Sequence, residues 1–124
     1  MADNKQYISH ANEFGQIYIS EDVISSIAYQ ALADVEGFGG LTARTNAEFV
    51  APLNAKNWHK GIHIHINEKG RLMLEVNILV KYGANILEVG QNIQNILTQT
   101  IGSTTGLYPK RVHVNICGVV RAEG

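Results

Sequence analysis

The chain has 124 residues, a formal net charge of −1 and one cysteine. That length gives one domain with its own core, and 45% hydrophobic against 17% charged residues excludes wholesale disorder. The near-neutral balance argues against a dedicated nucleic-acid binder, while the lone Cys117 excludes an intrachain disulfide and fits a reducing cytoplasm.

In chain order, residues 1–14 are polar and read as a flexible N-terminal arm, with no apolar stretch of the signal-peptide kind. The single domain is placed at residues 15–120. Gly15 to Ile19 alternates, with Ile17 and Ile19 on one face, and predicts a short strand. Ser20 then caps a helix whose first turn carries Glu21 and Asp22, suited to the positive end of the helix dipole. Val23, Ile24, Ile27, Ala28, Ala31, Leu32 and Val35 recur at helical spacing, so the helix is expected over 21–36, closed by Gly37. Gly39 to Ala43 reads as a turn into a weak strand. Asn46 is expected to cap a short helical turn through Phe49 and Val50 that ends at Pro52, before a loop carrying Trp58.

The clearest pattern follows. Ile62, Ile64 and Ile66 alternate with His63, His65 and Asn67; Leu72, Leu74, Val76, Ile78 and Val80 alternate with Met73, Glu75, Asn77 and Leu79. A hairpin turning through Glu68-Lys69-Gly70, with Asn67 opposite Arg71, keeps every apolar residue of the first set on one face. It also sets His63 opposite Glu75 and His65 opposite Met73. Asn85 and Glu88 have capping-box spacing and open a second helix, 86–104, that stops near Gly106. A last strand runs over 111–119. The expected fold is α+β: a two-layer sandwich with a mostly antiparallel sheet and two main helices packed on one face. The other sheet face carries His63, His65, Glu75, Asn77, His113 and Asn115 and is expected to meet water or a partner.

Chemistry in this pattern is sparse. His63, His65 and His113 with Glu75 are the candidate metal ligands, but neither the C-x-x-C nor the H-E-x-x-H spacing occurs. A pH-sensitive surface is the more ordinary consequence of such a face, since imidazoles titrate near neutrality. Gly37-Phe38-Gly39-Gly40 follows a helix instead of opening one, so it is a turn and not a phosphate cradle. Cys117 lies in a strand, away from any helix start that would activate it. No cofactor, catalytic group or nucleic-acid partner is expected, and no segment is long and apolar enough to insert in a membrane. The second helix, by contrast, has no charge from Gln91 to Ser103. Its Gln91, Gln94, Asn95, Thr98 and Gln99 form a candidate interaction face, because charge is depleted from the centres of interfaces.

Three groups of residues carry a resemblance. The first is Gly15 to Ile24, with Ile27-Ala28 and Val35-Glu36-Gly37. The second is Lys60-Gly61-Ile62, then Val80-Lys81-Tyr82-Gly83 with Ile86, Glu88 and Val89. The third is Val112 to Ile116 with Gly118-Val119. Together, in this order, they resemble the alkaline shock protein family of Gram-positive bacteria. The resemblance implies a cytoplasmic, non-enzymatic protein of the cell-envelope stress response that self-associates. It also implies that a separate anchor protein holds it at the membrane. The alternative it implies is a regulator of fatty-acid or lipid synthesis acting through contacts with an enzyme of that pathway. A metal-binding or enzymatic protein using the His63/His65 face is the remaining alternative. No catalytic residue carries over from the family.

Overall fold

A computed structural model describes residues 5–43, 52–54 and 56–121. The short helical turn expected at 46–50 lies outside them. The elements are β1 (Tyr7–Asn12), β2 (Gly15–Ser20), α1 (Glu21–Leu32), β3 (Phe38–Leu41), β4 (Ile62–Ile66), β5 (Leu72–Lys81), α2 (Ile86–Thr105) and β6 (Arg111–Val120), with one 3-10 turn at Trp58–Gly61.

Strand β5 is the spine of the main sheet. Both β3 and β4 pair with it antiparallel along one side, β4 against its first half and β3 against its second. On the other side β6 pairs with it in parallel, over Met73–Lys81 and Arg111–Val120. A parallel neighbour demands a crossover, and α2 supplies it. The hairpin register is the expected one: Ile62 opposite Val76, His63 opposite Glu75 and His65 opposite Met73. Gly70, at φ 76°, takes the left-handed position of its turn, and Asn67 Oδ1 accepts from the Lys69 and Arg71 amides.

The fold class is as expected, α+β with a mostly antiparallel sheet. The core lies between the helices and the isoleucine–leucine–valine face. Ile24, Ala28 and Leu32 of α1 and Ile93, Leu97 and Ile101 of α2 meet Ile64, Leu72, Leu74, Val76, Ile78 and Val80 there. Helix α2 starts where the capping pair places it, with Asn85 Oδ1 accepting from the Glu88 amide at 3.0 Å. It ends at Gly106, whose φ of 82° is the left-handed closing conformation.

Three local expectations are corrected. Tyr7–Asn12, read as part of an arm, is a strand: it pairs with β2 from Tyr7–Ser20 to Asn12–Gly15 and buries Ile8 in the core. Helix α1 stops at Leu32 and not at residue 36. The chain tightens there into three-residue turns, Asp34 N–H to Ala31 O and Val35 N–H to Leu32 O, while Val35 stays buried and prolongs the apolar stripe. Finally, the face of the sheet away from the helices is not polar throughout. Asn77 and Leu79 are fully buried. Beside them β6 bulges between Ile116 and Gly118, and Gly39 and Gly118 let neighbouring chain approach Leu79 closely.

Candidate interaction surface

The hairpin register and the parallel β5–β6 pairing place His63, Glu75 and His113 in one row across three strands. The three imidazoles of His63, His65 and His113 are exposed. Glu75 Oε2 accepts from Asn115 Nδ2 at 2.8 Å, and the same Asn115 amide donates to Asn77 Oδ1 at 2.9 Å. The row is thus tied into a side-chain ladder running along the sheet. Among the described residues no three His, Cys, Asp or Glu side chains converge to hold a metal ion.

Helix α2 presents its uncharged residues as two stripes, not one face. Gln91, Gln94 and Thr98 lie toward β6: Gln94 Nε2 donates to Val112 O at 3.1 Å, and the Thr98 hydroxyl donates back to Gln94 O at 2.7 Å. Asn95 and Gln99 lie the other way. With Asn92 and Ile96 they line a depression against Asp34, Val35 and Glu36 at the end of α1. The five residues picked from sequence are at least partly exposed, but they border two different surfaces.

Sequence reading missed what adjoins each stripe. Between the two helices runs an open groove of about 640 Å³, floored by Val23, Ile27, Ala31 and Ile96 and flanked by Asp22 and Asp34. The sign of it in sequence is the absence of Lys and Arg from both helices. On the β6 side, apolar residues stand out in solvent. Leu87 is 70% exposed, Val119 50%, Ile86 45% and Ile116 36%. Residues 87, 90 and 94 share one helical stripe. A Cβ on Gly90 would sit 3.6 Å from Ile116 Cδ1, while Gln94 reaches Val112, so the stripe runs antiparallel to β6 and puts Leu87 near its end.

A third exposed set sits on the β1–β2 hairpin, where Phe14 at the turn is 92% exposed and Tyr7 and Tyr18 meet edge to face at 6.5 Å. Trp58 stacks on Tyr29 of α1 with ring centroids 4.5 Å apart, fastening the 3-10 turn to the helix layer. Among the described residues no helix is long and apolar enough to cross a membrane.

The sequence matches a family profile, that of alkaline shock protein 23, described as having a cell envelope-related function, over residues 9–121. The uncharacterized protein YloU of Bacillus subtilis (strain 168) is 29% identical over 109 residues, covering 86% of this chain and 90% of that protein. The uncharacterized protein YqhY of the same organism is 25% identical over 105 residues, covering 85% and 77%. The uncharacterized protein Spy1614 of Streptococcus pyogenes serotype M6 is 27% identical over 104 residues, covering 82% and 85%. No solved structure matches the chain significantly.

Proposed function

The chain belongs to the alkaline shock protein 23 family, whose function is cell envelope-related, and from that premise we propose that it is a non-enzymatic protein that works by self-association and protein contacts. The observation that supports this reading is the make-up of α2. Twenty residues long, it carries Glu88 as its one charge, in the first turn, and leaves Gln91, Asn92, Gln94, Asn95 and Gln99 exposed. A helix that faces only water is ordinarily given lysine and glutamate for solubility. An amide-rich surface sheds its water at lower cost than a charged one and offers both donors and acceptors to a neighbour.

In this reading the protein is cytoplasmic and reaches the membrane through an anchoring partner. Its polar side chains are contact groups. The alternative, a regulator of lipid synthesis, uses the same surfaces on a different partner.

Sedimentation of the full chain tests the proposal. The wild type is expected to sediment as a multiple of the 13.6 kDa chain as concentration rises. A Gln94→Lys, Gln99→Lys double variant puts a charge in each stripe and is expected to shift the distribution toward the single chain. A wild type that stays at the single-chain mass at every concentration contradicts self-association. Co-purification from cells with a membrane anchor, with a lipid-synthesis enzyme, or with bound zinc alone separates the remaining readings.

A further inference from the structure

The main sheet treats its edges differently. Thr42 N–H donates to Asn77 O, so odd-numbered residues of β5 turn their backbone groups toward β3 and β4. His63 and His65 answer them, which leaves the polar groups of Ile64 and Ile66 facing outward from β4. Both are closed by one side chain. Gln6 Nε2 donates to Ile64 O at 2.6 Å, and Ile66 N–H donates to Gln6 Oε1 at 2.7 Å. A carboxamide stands in for a strand residue there. Beyond it, Leu53 N–H donates to Leu41 O at the edge of β3.

Among the described residues the opposite edge has no such stopper. Strand β6 is ten residues long and, among the described residues, pairs only with β5. Among the described residues only its start is covered, by Gln94 at Val112 O. From Val112 to Val120 it has no charge and no proline, two of the usual guards of a free edge; a third, a bulge, interrupts it between Ile116 and Gly118. Alongside that edge lie the exposed Ile116, Val119, Ile86 and Leu87 and the uncharged Gln91–Gln94–Thr98 stripe of α2.

We propose that this side is a two-fold interface in which β6 pairs antiparallel with β6 of a second copy, extending the sheet across both chains, with the Leu87 ends of the two α2 helices packing beside it. The proposal rests on the self-association proposed above and assigns it a surface. A second copy is the occupant for two reasons. A strand edge is self-complementary about a two-fold axis, donor meeting acceptor in both directions. And the stretch from Val112 to Val120, bounded by the exposed Arg111 and Arg121, has no charge of its own with which to repel its image.

The test is sedimentation equilibrium of the full chain with three variants. Val119→Lys sets a charge on the paired edge. Leu87→Glu does the same from α2, where an acid near the helix N-terminus favours the fold, so lost assembly cannot be put down to a lost helix. Phe14→Lys alters the other exposed apolar site, on the β1–β2 hairpin. The wild type and Phe14→Lys are expected at twice 13.6 kDa, with Val119→Lys and Leu87→Glu dissociating at least about tenfold more readily. Circular dichroism checks that each variant is folded, and Leu87→Glu decides if Val119→Lys is not. If the wild type is a dimer and both β6-side variants keep it, the assignment is overturned while self-association stands. If Phe14→Lys alone dissociates it, the hairpin is the interface instead. If the wild type is a single chain throughout, both proposals fall.

Discussion

Gln6 holds the outer edge of β4 closed, and replacing it with alanine should be felt far beyond an arm residue. The substitution removes the 2.6 Å bond to Ile64 O, the 2.7 Å bond from Ile66 N–H and a longer 3.3 Å contact from Nε2 to Glu21 Oε2. The backbone pair to Glu21 survives, with Glu21 N–H donating to Gln6 O at 2.9 Å. Two part-buried hydrogen bonds at about 0.5–1.5 kcal/mol each give roughly 1–3 kcal/mol, and water reaching the opened edge brings this to the lower half of the range. For a chain of this size that is a fall in Tm of about 3–8 °C. Urea unfolding should show a lower midpoint at unchanged slope. Gln6→Glu should be no better than alanine at neutral pH, because a carboxylate cannot donate to Ile64 O and stands against Glu21. Gln16→Ala, at an exposed strand position, is the control and should stay within about 0.5 kcal/mol. A loss of less than about 0.5 kcal/mol for Gln6→Ala would refute the idea that this side chain closes the edge. The variant should also aggregate at high concentration, since it would open the outer edge of β4 that Gln6 closes in the wild type.

Three further outcomes are expected. Asn85→Ala removes the cap on the Glu88 amide and should cost about 1 kcal/mol by urea denaturation, with Asn85→Asp restoring most of it; equal stability of all three would show the cap to be idle. Leu79→Ala should cost about 2–5 kcal/mol, as for a core residue, although Leu79 lies on the sheet face away from the helices; a cost under 1 kcal/mol would mean that the face is wet there. Adding zinc should leave Tm unchanged, given that Glu75 is engaged by Asn115; a rise of several degrees that His63→Ala abolishes would make the histidine row a metal site.

What was readable in the sequence is what a short-range pattern encodes. The alternation from Ile62 to Val80 fixes the hairpin and its register, because a slip of one residue would bury His63 and His65. Asn85 with Glu88 and Gly106 mark both ends of α2 for the same reason: caps are local chemistry. The misses come from contacts distant in sequence. Ile8 is the one buried residue of β1, and the strand is held by β2 and by His10 Nε2 on Thr105 O at 2.9 Å, a contact ninety-five residues away. Asn77 and Leu79 alternate as solvent-facing residues do, yet the glycines of β3 and β6 bring chain against Leu79, and the Asn115 side chain of β6 donates to Asn77. The amide residues of α2 look like one face until the strand beside them is known. Only the placement of β6, with Gln94 on Val112, splits them into two stripes. The closure of β4 by Gln6 spans fifty-eight residues, and no local pattern announces it.

The most direct measurement is amide hydrogen exchange along β6 as a function of chain concentration. If copies of this protein join through that edge, the amides of residues 112–119 that face away from β5 should slow as concentration rises, and Leu87→Glu should return them to fast exchange. Exchange along β6 that is fast and independent of concentration, in a chain that nonetheless self-associates, would contradict the assignment of contact to this side of the molecule.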